Sequence, residues 1–135
     1  MRLRRYSLAE LFLVLVSARA LFEAYLRLRF TGTRRIRIWS TFLGSGRFSS
    51  HELLIAFNRV ASRSSATCLV RALALQHMLA RNGHESELRI GVARAGSKLQ
   101  AHAWLIDKSG EVLVGGGEEA DSFKVISYWT GGLPR

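Results

Sequence analysis

The feature that most limits the fold of this chain is a change of hydrophobic period at Asn82-Gly83. Before that point apolar residues recur at helical spacing, and after it they alternate. A period near 3.6 buries one stripe of a helix and a period of two buries one face of a strand, so helices come first and a sheet follows. Helices grouped on an antiparallel sheet make an α+β fold, not a woven parallel one.

Local signals place the elements. Ser7 with Glu10 three residues on has the form of a capping box, and apolar residues then recur to about Phe30, where Thr31-Gly32-Thr33 ends the run. Residues 36–43 are apolar and aromatic without a clear period, which fits either a strand or a short helix. Gly44-Ser45-Gly46 is a loop, and Ser49 or Ser50 starts a helix that reaches about Arg59. Ser64-Ser65-Ala66-Thr67 supplies a cap for a further helix from about Thr67 to Arg81, which Gly83 can end in a left-handed conformation. Alternating stretches at 87–93, 99–107 and 111–115 predict an antiparallel meander, and 123–129 is a candidate last strand. With 135 residues the expectation is one domain, 1–135, divided into a basic helical region at 1–63 and a core at 64–135.

Charge divides along the same line. The net charge is +10, and residues 1–63 carry twelve Arg against Glu10, Glu23 and Glu52, a net of +9. Residues 64–135 are nearly balanced. A basic field of this kind attracts acidic peptides, acidic proteins, nucleic acid or anionic membranes, and charge alone does not choose among them. The aromatics do not interleave with the basic residues as in single-strand binders, which argues against nucleic acid. The first twenty residues imitate a signal peptide, but Glu10 and the continuing helical pattern mark them as mature protein. An arginine-flanked apolar helix also leaves peripheral membrane contact open.

The chain has one cysteine, Cys68, so no internal disulfide forms and a reduced cytoplasm suits it. His51, His77, His84 and His102 are scattered, and Cys68 has no second cysteine at zinc spacing, so neither a metal nor a cofactor is expected. Cys68 falls in the first turn of its helix, on a stripe with Ala72, Leu75 and Leu79. Unpaired backbone N–H groups there favour a thiolate and could face an oxyanion. His102 lies in the middle strand, where it could take the thiol proton and return it to a leaving amine. Placement alone leaves the bland alternative standing, because a single helical cysteine is often a small buried apolar residue.

Order and context go further. Cys68-Leu69-Val70-Arg71-Ala72-Leu73-Ala74-Leu75, then Leu88-Arg89-Ile90-Gly91-Val92, then Ala101-His102-Ala103-Trp104 resemble the leader peptidases of lasso-peptide biosynthesis, the C-terminal half of the B protein, which includes microcin-processing enzymes. The resemblance is tight over about residues 64–116. It implies a transglutaminase-like (papain-like) core in which a Cys-bearing helix packs on a small antiparallel sheet. It also implies Cys68 as nucleophile, His102 as general base and acid, and Trp104 as a neighbour of the site. The family's third strand often ends in Asn-Asp, the Asp orienting the histidine, whereas this chain has Val112-Leu113-Val114-Gly115-Gly116. Glu118 is the expected replacement. Glu119 and Asp107 are alternatives, a backbone carbonyl or Gln100 could orient the ring, and a dyad would need no third residue.

The resemblance further implies a precursor peptide as substrate, a separate leader-recognition protein, and an ATP-dependent lasso synthetase acting downstream. Two other functions compete. A transglutaminase-like acyl transferase would use the same thiol and imidazole with an amine as acceptor, and a non-enzymatic basic module would use the charge alone.

Overall fold

Hydroxyl caps set the helix starts. Ser7, Ser49 and Thr67 each accept a hydrogen bond from the backbone N–H three residues on, supplied by Glu10, Glu52 and Val70. The structure, a computed structural model, describes residues 7–115 and 123–131. Within them lie α1 (Leu8–Phe30), α2 (Thr33–Thr41), α3 (Ser50–Ala61) and α4 (Cys68–Arg81), followed by β1 (Ser86–Ala95), β2 (Lys98–Asp107), β3 (Val112–Val114) and β4 (Lys124–Gly131). The undecided segment at 36–43 is therefore mostly helical: α2 buries Ile36 and Ser40, one turn apart, against the rest of the chain.

The sheet order is β3-β2-β1-β4, with antiparallel neighbours throughout. The first three strands form the expected meander. β4 returns to the free edge of β1 instead of adding beyond β3, and its register sets Trp129 opposite Leu88. Leu88 in turn faces Leu105 across β1 and β2. Those three side chains share one face of the sheet and join Leu73, Leu75 and Met78 of α4, Leu53 and Phe57 of α3, and Leu13, Leu21 and Ala24 of α1 in a continuous core.

Helix α4 is the centre of this arrangement, with Ala72, Ala74 and Leu75 wholly buried between the sheet and α1. Its C-terminal carbonyls are satisfied by the loop before α3. The Gly44 N–H donates to the Ala80 carbonyl (3.0 Å) and the Gly46 N–H to the Arg81 carbonyl (2.9 Å). Gly83 takes φ +76° and turns the chain into β1. Among the described residues no helix is long and apolar enough to cross a membrane.

Candidate active site

Three local devices fix the mouth of α4. Thr67 is the N-cap, its Oγ1 accepting from the Val70 N–H at 3.4 Å. Arg71, one turn into the helix, reaches back with Nη2 to the Ser64 carbonyl at 3.1 Å and ties down the preceding loop. Its own N–H begins the helical ladder by donating to the Thr67 carbonyl at 3.0 Å. The N–H groups of Cys68 and Leu69 consequently donate to no acceptor among the described residues, and Cys68 carries a half-buried free thiol. Two unpaired donors at a helix N-terminus favour negative charge nearby, on sulfur or on a substrate oxygen.

His102 sits in β2, half-buried and packed between aromatic rings. Trp104 lies 5.9 Å away at an interplanar angle of 20°, and Phe123 lies 5.2 Å away at 37°. Its Nε2 meets the Gly115 carbonyl. A carbonyl only accepts, so this contact puts the proton on Nε2 and leaves Nδ1 with the lone pair that a base needs. Gly91, opposite His102 on β1, gives the rings their room: a Cβ there would come within 2.9 Å of Trp104 and 3.0 Å of Phe123.

Thiol and imidazole are not in contact. The Cys68 thiol has no hydrogen-bond partner among the described residues, and the polar partner of the His102 ring is the Gly115 carbonyl. Across the sheet the two groups differ. Leu105 is on the face that meets α4, and alternation puts His102 with Trp104 on the other face.

The candidate third residues are distributed unevenly. Glu118 and Glu119 lie outside the described residues. Asp107 is five residues beyond His102, about 17 Å along the strand. Its carboxylate accepts from the Ser109 N–H (2.8 Å), the Ser109 hydroxyl (2.5 Å) and the Glu111 N–H (3.0 Å). The Ser109 hydroxyl and these N–H groups hold the Asp107 carboxyl below its ordinary range. It serves the β2–β3 turn. Gln100 shares the His102 face but is exposed and makes no hydrogen bond to the ring. The ring's partner is thus the backbone carbonyl at Gly115, a residue that reads in the sequence only as part of a glycine turn. Phe123 and Arg71 carried no sequence signal as site residues either.

A Cys-bearing helix laid on an antiparallel sheet that carries a histidine in its second strand is the arrangement to compare with known proteins, and residues 12–128 match the transglutaminase-like superfamily. The chain belongs to that superfamily. No curated protein and no solved structure matches it. The transglutaminase-like fold supports cysteine peptidases and acyl transferases, and in this member the structure provides a cysteine at a helix mouth and a strand histidine whose Nε2 meets a backbone carbonyl. Among the described residues no group of His, Cys, Asp and Glu could hold a metal ion.

Proposed function

We propose that this transglutaminase-like protein is a cysteine peptidase that removes the leader from a ribosomally made lasso-peptide precursor. The observation that carries the proposal is the position of the chain's one cysteine: the first residue of the helix that packs on the sheet, among N–H groups with no other partner. The motifs at 68–75, 88–92 and 101–104 narrow the superfamily to leader peptidases by resemblance.

In the proposed reaction the Cys68 thiolate attacks the scissile carbonyl, and the N–H groups of Cys68 and Leu69 face the resulting oxyanion. His102, having taken the thiol proton, gives it to the departing core-peptide amine as the C–N bond breaks. Water then attacks the thioester, losing a proton to His102, and the leader leaves as a carboxylic acid while the thiol is restored. A discrete leader-binding protein presents the precursor, and the ring-forming synthetase takes the released core. Proton transfer needs sulfur and Nδ1 within hydrogen-bond reach. The proposal therefore includes a repacking of β2 at residues 98–102 when substrate and partner bind, bringing the imidazole round to the helix mouth.

The test is precursor processing read by mass. Wild-type protein with precursor and leader-binding protein should yield free leader and free core, and Cys68→Ala or His102→Ala should yield neither while keeping the native circular dichroism. Processing by Cys68→Ala at the wild-type rate would end the proposal. A leader mass increased by an added amine would instead assign acyl transfer. Repacking has its own readout: precursor should change the rate at which iodoacetamide alkylates Cys68, and His102→Ala should abolish that change.

A further inference from the structure

A concave groove lies at the opposite end of α4 from Cys68. α1, α2 and the C-terminal turn of α4 line this open cavity of about 960 Å³, at the upper end of the range for ligand sites. Its apolar surface comes from Phe12, Val16, Ile38, Phe42, Phe48 and Met78. Four guanidinium groups line it as well: Arg19 and Arg27 on α1, Arg35 on α2 and Arg81 at the end of α4.

The charge around this cavity is unbalanced. Glu23 is the one carboxylate that lines it, and Arg19 holds that carboxylate at 2.7 Å. Arg27 rests over the Trp39 ring (5.3 Å) and Arg81 over the Phe42 ring (5.4 Å), so both are positioned by aromatic faces and not by acids. Arg27, Arg35 and Arg81 make no ion pair with a carboxylate among the described residues. Polar groups are also spread along the site. His77 donates through Nδ1 to the Trp39 carbonyl at 2.8 Å, which leaves Nε2 as an acceptor, and Asn82 lines the far end.

We propose that this groove binds a peptide segment in which apolar side chains alternate with carboxylates. The spacing of the cations distinguishes a peptide from a fatty acid. The three cations without an ion pair among the described residues stand on three different helices, Arg27 on α1, Arg35 on α2 and Arg81 at the end of α4. A single headgroup would be met by cations gathered at one point, whereas carboxylates set along a chain are met by cations set along a rim. The site goes beyond the proposed cleavage at Cys68 and does not depend on it, because occupancy is read without turnover.

The experiment is fluorescence anisotropy of labelled peptides of about a dozen residues with the full chain. The probes are a Leu/Glu peptide, a Ser/Glu peptide of equal charge and a Leu/Lys peptide, with dodecanoate as competitor. The Leu/Glu peptide should bind one-to-one, more weakly as salt rises. Arg35→Glu and Ile38→Asp should each weaken it by about tenfold or more, a loss of about 1.4 kcal/mol. Both side chains are exposed, so these variants should fold, as unchanged circular dichroism would verify. Equal binding of the Ser/Glu or Leu/Lys peptide, unaltered binding to the two variants, or one-to-one displacement by dodecanoate at lower concentration than peptide would each overturn the proposal.

Discussion

Burial against Trp39, whose ring stacks on the imidazole at 4.0 Å, pushes His77 below its ordinary value of 6.5. The nearby Arg81 and Arg27 add to the shift, and the Trp39 carbonyl and Glu23 oppose it. A histidine that resists protonation when folded contributes stability that is full above about pH 6.5 and is lost as pH falls toward the folded value. His77→Asn keeps a donor for the Trp39 carbonyl without the charge, so urea unfolding should show a shallower fall in stability between about pH 6.5 and 5 in the variant. An unchanged slope would assign the fall to other groups. Glu23 and Asp107 do not blur this window. Burial raises Glu23, but its bonds to Arg19 and Trp39 outweigh burial and take it below its ordinary 4.5, and Asp107 lies below 3.8. Their losses come at lower pH. Gly115 is the second residue with a sharp test. At φ +75°, a Cβ would stand 2.6 Å from the Ala103 carbonyl, so Gly115→Ala should cost about 1–3 kcal/mol and free the His102 ring, visible in its nitrogen chemical shifts by NMR. The capping stretch at 64–67 and the first-turn position of Cys68 were legible in the sequence because capping and helix position are local properties, and the structure selects Thr67 as the cap. Gly115 was not, because a carbonyl reaching across from the end of β3 leaves no mark on residue type.

The elements are joined most specifically where β4 meets α4 and α2. The Trp129 indole N–H donates to Gln76 Oε1 at 2.8 Å and approaches Ser40 Oγ at 3.3 Å, and Gln76 Nε2 returns a bond to the Trp129 carbonyl at 3.3 Å. Arg37 covers the ring at 5.1 Å. All of Gln76 is buried, so Gln76→Leu should cost about 1–3 kcal/mol by removing the nearer of the two indole N–H acceptors and the side-chain donor to the β4 carbonyl. Combined with Trp129→Phe in a double-mutant cycle, the pair should show coupling of about 0.5 kcal/mol or more. Additive losses would mean that packing alone holds β4 in place. The extent of helix α4 was readable from its ends, but its stripe of Cys68, Ala72, Leu75 and Leu79 marked one side only, whereas Ala72 to Gln76 are buried in succession. The orientation of α1 was not readable, because Leu8, Leu15, Phe22 and Phe30 stay exposed while Leu13 and Leu21 are buried, which leaves no polar face to identify the outside. The position of β4 was equally hidden, since the Gln76–Trp129 bonds that select the β1 edge connect residues 53 apart.

At the scale of the whole molecule, the change of period gave helices before an antiparallel sheet, as the structure has them, but the facing of β2 was not readable. Trp104 and Leu105 are both buried, at 4% and 0% exposure, so alternation paired His102 with Trp104 without indicating which face turns to α4. Charge gives the last prediction. Arg19–Glu23 and Arg89–Glu87 are ion pairs between guanidinium and carboxylate, one in each half of the chain. Meanwhile Arg27, Arg29, Arg34, Arg35 and Arg37 crowd the end of α1 and the length of α2. Like charges held together by folding are separated by unfolding, so this field should destabilise the native state through self-repulsion, and salt should relieve it. The melting temperature should therefore rise as NaCl increases from about 20 mM to about 300 mM, levelling off as the screening length shrinks below about 6–8 Å. Arg34→Glu, exposed and outside the groove lining, should raise the melting temperature at low salt and flatten its salt response while leaving peptide binding in the groove nearly unchanged. If the melting temperature instead fell with added salt, the attractive pairs would outweigh the repulsive field. The two outcomes have opposite signs, so one salt series on the wild-type chain separates them.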